Sequence, residues 1–77
     1  MNKETFLQQF REQFMDAGEI VVAETTPFRE IGSFDSLTGM AIIVMIKDEY
    51  DVDVSETEFK SCATPGELYD LIVSKIG

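Results

Sequence analysis

Three places in the sequence hold residues capable of chemistry: Ser36, Cys62 and the acidic run from Asp48 to Glu58. Ser36 lies between Asp35 and Leu37 at a predicted helix start, where a hydroxyl is open to another enzyme. It has no base to activate it, because the chain contains no histidine and spacing places no substitute beside it. A modified serine suits the physics better. A phosphate ester on that oxygen would lie at the positive end of the helix dipole, facing free backbone N–H groups. The plainer alternative is that Asp35 and Ser36 only cap the helix. Cys62 lacks the histidine that would lower a thiol pKa, as thiolate chemistry requires, so it reads as a small packing residue. Asp51-Val52-Asp53-Val54-Ser55 imitates the opening of a calcium loop. Such a loop needs Gly at its sixth position and Glu at its twelfth, and those places hold Glu56 and Cys62. The acids from Asp48 to Glu58 therefore read as a solvated face, and no metal site is expected.

The elements that must position these residues belong to a small chain. Its 77 residues are 44% apolar, which predicts one globular domain over residues 1–77. A domain of that size buries only about 60% of its unfolded surface and has no room for a deep catalytic cavity. Asp and Glu number 15 against 6 Lys and Arg, a net charge of -9. That sign argues against nucleic acid and anionic membranes, which need Lys and Arg, and favours basic protein partners. One cysteine excludes an internal disulfide and fits a reducing, cytoplasmic setting. The longest apolar run, Met40–Ile46, is too short to cross a bilayer, and the polar, periodic N-terminal stretch does not read as a leader. The expectation is a soluble monomer that is not an enzyme and has no catalytic residues of its own.

The pattern predicts an all-α fold, a small four-helix bundle whose third helix is short, with a long loop between helices one and two. The first helix is expected over Lys3–Asp16, with Asn2 as N-cap. Phe6, Leu7, Phe10 and Phe14 form its core stripe, and Gly18 is expected as a left-handed cap. The connection 17–35 carries Thr25-Thr26-Pro27 and Gly32, with Ile20, Val21, Val22, Phe28 and Ile31 packing it down. A short strand over Glu19–Ala23 competes but lacks a partner strand. The second helix is expected over Ser36–Tyr50, capped by Asp35, and it has two apolar faces. Ile42, Ile43, Ile46 and Tyr50, with Gly39 beside them, make one. Leu37, Met40, Ala41 and Val44, continuing toward Asp48, make the other. A bundle helix needs a single stripe, so the second is surplus and either packs under the loop or meets a partner. Ser55 and Glu58 have capping-box spacing and open a short helix to about Lys60. Thr64, Pro65 and Glu67 repeat the signal and open the last helix, to about Lys75, with Leu68, Tyr69, Leu71, Ile72 and Ile76 inward.

With these features in place the chain resembles the acyl carrier proteins. The likeness rests on Asp35-Ser36-Leu37 with Gly32 upstream, Thr26-Pro27-Phe28 leading through Ile31-Gly32, Tyr50-Asp51-Val52 closing the second helix, and Thr64-Pro65 before the last. It covers nearly the whole chain. The resemblance implies that a phosphopantetheinyl transferase, using coenzyme A and Mg²⁺, joins a 4′-phosphopantetheine arm to the Ser36 hydroxyl through a phosphodiester. The arm's thiol then carries an acyl or aminoacyl group as a thioester between a loading ligase and acyl-transferring enzymes. It also implies that Asp35 orients the attachment point and that Leu37, Met40, Ala41, Val44, Lys47 and Asp48 lie on the partner-facing side.

Departures from the fatty-acid members of that family point to a specialised pathway. Thr38 stands where a further acid is common, Lys47 reverses the sign, and no acid occurs between Asp35 and Asp48. Docking should then depend on apolar contact more than on charge steering. Phe34 before Asp35 resembles D-alanyl carriers loaded by adenylating ligases. Two alternatives remain at this level: a housekeeping fatty-acid carrier, and an unmodified helical adaptor that binds a partner through its apolar stripe. Gly39 is expected to permit close backbone packing beneath the attachment site.

Overall fold

Four α-helices and one 3₁₀ turn make up the regular structure of the computed structural model, which describes residues 2–76. They are α1 (Lys3–Arg11), the 3₁₀ turn (Phe28–Glu30), α2 (Ser36–Tyr50), α3 (Glu56–Ser61) and α4 (Pro65–Ile76). The all-α expectation holds, and no strand forms over Glu19–Ala23. No helix among the described residues is long and apolar enough to cross a membrane.

α1 starts as its cap requires: Asn2 Oδ1 accepts the N–H groups of Glu4 at 2.8 Å and Thr5 at 3.2 Å. It ends five residues before the expected Asp16. The Gln13 side-chain amide donates to the Gln9 carbonyl at 3.0 Å, the acceptor that a continuing helix offers to the Gln13 N–H. The Gln13 and Phe14 N–H groups turn instead to the carbonyls of Phe10 and Arg11, three residues back. This tighter path still delivers Phe14 to the core. Gly18 is not a left-handed cap, because no described glycine has a positive φ.

Phe28 gathers the long connection. It is fully buried, and its ring lies 5.2 Å from Phe10, 5.5 Å from Phe34 and 5.4 Å from Phe59, centroid to centroid. Phe6 extends the same network to Tyr50 and Tyr69, so all six phenylalanines are joined across α1, the loop, α2, α3 and α4. Ile42 and Ile46 of α2 and Leu68 and Ile72 of α4 complete the fully buried centre. Ile20, Val22 and Ile31 pack against it as expected, but Val21 points to solvent. The Ser33 hydroxyl donates to Asp16 Oδ1 at 2.6 Å and pins the end of the loop to the turn that follows α1. The Cα radius of gyration, 11.2 Å, matches the ~11.5 Å expected for a compact chain of this length.

Both later helices begin with reciprocal caps. Ser55 and Glu58 form the capping box of α3. In α4 the Thr64 hydroxyl accepts the Glu67 N–H while Glu67 accepts those of Ala63 and Thr64. Ile76, expected inward, is exposed on the last turn, beyond the reach of the core built by Leu68 and Ile72. α2 ends at Asp51, which takes the left-handed conformation (φ 54°) and donates its N–H to the Lys47 carbonyl.

Gly66 is a close-approach glycine. Its N–H donates to the Glu24 carbonyl at 2.9 Å, and a Cβ there would sit 2.8 Å from that oxygen. Alanine in a helix ordinarily stabilises by about 1 kcal/mol over glycine. Here the backbone contact decides the sign: Gly66→Ala is expected to lower the melting temperature, measured by circular dichroism.

Candidate functional site

The site forms where the loop hands over to α2. Asp35, in extended conformation, is the N-cap as the sequence predicts. Its Oδ1 accepts both the Thr38 N–H at 2.8 Å and the Thr38 hydroxyl at 3.0 Å. These bonds hold the Asp35 carboxyl below the ordinary carboxylate range, the backbone N–H of Thr38 contributing most. Thr38 is buried, and the sequence reading missed this role. The Asp-x-x-Thr spacing that places a polar side chain at the third helical position was the available signal.

Ser36 is the first residue of α2 and is exposed. Its hydroxyl engages no hydrogen-bond partner among the described residues. With the Asp35 carboxylate turned toward Thr38, the Ser36 side chain stands free at the positive end of a helix of 15 residues. Beside it runs a groove of about 370 Å³, lined by Phe34, Gly39, Met40, Ile43 and Phe59, with Arg29, Glu56 and Lys60 at its charged edges. Gly39 is buried, and a Cβ there would come within 3.3 Å of the Phe59 ring and 3.6 Å of Phe34. What approaches Gly39 is therefore aromatic side chain and not the backbone that the sequence led one to expect. Phe34 stacks on Phe59 at 6.4 Å, so its place before Asp35 has a packing cause.

The surplus stripe faces water. Leu37 is 74% exposed, Met40 57% and Val44 56%, while Ala41 is half-buried. The alternative, that the stripe packs under the loop, is overturned by that exposure; Phe34 of the loop sits instead against buried Gly39. The core side of α2 is formed by Thr38, Gly39, Ile42, Met45 and Ile46; Met45 had not been placed there, and Ile43 and Tyr50 are only half-buried. Lys47 does not stand as a lone cation. Its Nζ lies 3.1 Å from Asp51 and 3.5 Å from Asp53, and the hydrogen bond to Asp51 chiefly raises its pKa. Asp48 is exposed and makes no ion pair among the described residues. Cys62 is buried as expected, and burial raises its pKa.

These features fit a covalently attached anion-bearing arm: a free hydroxyl at a helix N-terminus, a groove beside it and an apolar face along the same helix. The comparisons with known proteins agree. A family model described as a phosphopantetheine attachment site matches residues 4–72. The chain is also 36% identical over 73 residues to the polyketide-8 synthase acyl carrier protein 2 of Streptomyces avermitilis, a match covering 91% of this chain and 84% of that protein. No solved structure matches it. The chain belongs to the phosphopantetheine-binding acyl carrier protein family. It is therefore a non-catalytic carrier: a phosphopantetheinyl transferase attaches its 4′-phosphopantetheine, and acyl-handling enzymes are its partners.

The lowered pKa of Asp35 has a signed consequence. A carboxyl depressed on folding stabilises above its unfolded value, near 4, and loses that contribution as pH falls through the lower folded value. The melting-temperature gap between wild type and Asp35→Ala should thus be full above about pH 5 and narrow as the pH falls below the ordinary carboxylate range. Thermal scans of both proteins across that range check it.

Proposed function

We propose that Ser36 is the residue modified with 4′-phosphopantetheine, and that the protein carries acyl groups in a specialised, polyketide-type assembly pathway. The observation that carries the assignment is the exposed, unengaged Ser36 hydroxyl at the start of α2. When bound, the group supplies the thiol that holds an acyl chain as a thioester. The chain's own residues do the presenting. Asp35 bonds to Thr38, keeping the first turn of α2 capped and the serine oxygen clear of it. The free N–H end of α2 faces the phosphodiester that Ser36 would bear. Leu37, Met40 and Val44, with Ala41 between them, offer an apolar contact face directly beside the serine, and Asp48 ends that face with a negative charge.

The polyketide-type reading is supported by the role in the relative's name and by α2 itself, which has no acid between Asp35 and Asp48. A housekeeping fatty-acid role would favour an acidic α2 that meets basic partners. An aminoacyl cargo loses its main sequence argument, since Phe34 is accounted for by stacking on Phe59.

Incubation with coenzyme A, Mg²⁺ and a broad-specificity phosphopantetheinyl transferase, followed by intact-mass measurement, tests the assignment. One phosphopantetheine adduct is expected on the wild type and none on Ser36→Ala. An adduct on Ser36→Ala, or none on the wild type, refutes it. Replacing Leu37 or Met40 with Glu should leave the fold intact and lower kcat/KM for transfer from the loaded carrier by about tenfold, the effect of truncating one interface anchor.

A further inference from the structure

α3 is the least self-sufficient helix of the fold. Its six residues are far below the length at which a helix holds itself together. Its first turn closes on its own capping box, and Glu58 also pairs with Lys75 of α4 at 2.8 Å. Its last turn leaves carbonyl groups that need donors from elsewhere. Those donors come from the long loop. One terminal nitrogen of Arg29, Nη2, donates to the Phe59 carbonyl at 2.7 Å, and the other, Nη1, donates to the Cys62 carbonyl. The guanidinium carbon also lies 4.8 Å from the centroid of the Phe28 ring and 5.3 Å from that of Phe59. No carboxylate pairs with Arg29 among the described residues. Its charge meets the negative end of α3 instead.

This placement matters because Phe59 is a wall of the groove beside Ser36. Its ring stacks on Phe34 and sits against Gly39 of α2. We propose that Arg29 is the positioning residue for that wall: its forked guanidinium docks the end of α3 to the loop and so sets how closely Phe59 approaches α2. Two carbonyls on separate residues suit the planar, double-donor fork of arginine. A lysine ammonium is a single point of charge and cannot reproduce that fork. Without the fork, α3 opens on its own while α1, α2 and α4 stay packed, and the groove loses its fixed shape. This inference needs no modification of Ser36 and stands apart from the assignment above.

The single cysteine reports the opening. Cys62 is buried at the end of α3, and its carbonyl is one of the two that Arg29 holds. Labelling of its thiol by Ellman's reagent under native conditions therefore follows the release of α3. The comparison is between wild type, Arg29→Lys, Arg29→Gln and a core variant of matched melting temperature, Ile46→Val or Ile72→Val. Both Arg29 variants should label about tenfold faster than the matched core variant, the change expected from losing one charged hydrogen bond. Removing the Arg29 cation by itself raises the thiol pKa and slows labelling, so acceleration has to come from opening. Labelling no faster than in the core variant, or full rescue by Arg29→Lys, overturns the proposal. Should Arg29→Gln fail to fold, Arg29→Lys, which keeps the charge and stem, carries the comparison.

Discussion

The fold depends on how Phe28 is buried. The stretch between α1 and α2 runs over residues 12–35 with one 3₁₀ turn, and a connection of that length has much conformational entropy to lose. Phe28 offsets that loss at one point. Full burial of such a side chain contributes about 1.5–3 kcal/mol, and each well-placed ring pair adds about 0.5–1.5 kcal/mol. Because its neighbours come from α1, from the loop itself and from α3, one residue orders three parts of the chain. The Phe28 N–H also donates to the Ala63 carbonyl, tying the turn to the segment before α4. With the loop fixed there, its end reaches α2 at a set angle. That is how Ser36 comes to stand at the edge of a groove.

α2 then serves two environments at once. Its core side carries Ile42, Met45 and Ile46, and its other side leaves Leu37, Met40 and Val44 in water. Leaving apolar side chains exposed beside one another forgoes burial, and nothing in the packing of the bundle requires it. The proposed function accounts for it: a carrier is gripped and released by several enzymes, and an apolar strip beside Ser36 would suit repeated, modest contacts. The net charge of -9 does not govern that strip. The acids lie elsewhere, and the one cation on α2, Lys47, is held by Asp51 and Asp53.

Much of this was legible in the chain. The caps of α2, α3 and α4 depend on contacts three residues apart, so Asp35, the Ser55–Glu58 box and the Thr64–Pro65–Glu67 start could be read directly. The two stripes of α2 follow from its helical period, and the family followed from Asp35-Ser36-Leu37 in its setting. The errors arose where one local preference competed with another or with a distant contact. Gln13 turned its side chain on the Gln9 carbonyl and ended α1 early; Gly18 and Ile76 looked like cap and core from spacing, and neither is. Arg29 was missed because its acceptors, the Phe59 and Cys62 carbonyls, lie 30 and 33 positions away and are placed only by folding; Thr38 was missed although its partner Asp35 is three residues away and the spacing was there to read.

The sequence by itself determined the class of fold, the helix starts, the exposed serine and the apolar strip, because each depends on neighbours within about one helical turn. Tertiary structure alone decided that the surplus stripe of α2 would stay in water and not pack under the loop, where α3 would dock, and that Phe34, Gly39 and Phe59 would meet beside Ser36. Those outcomes turn on contacts between separate elements of the chain, such as Arg29 with Cys62 and Gly39 with Phe59. No local periodicity encodes them, and the burial of Phe28 brings them about.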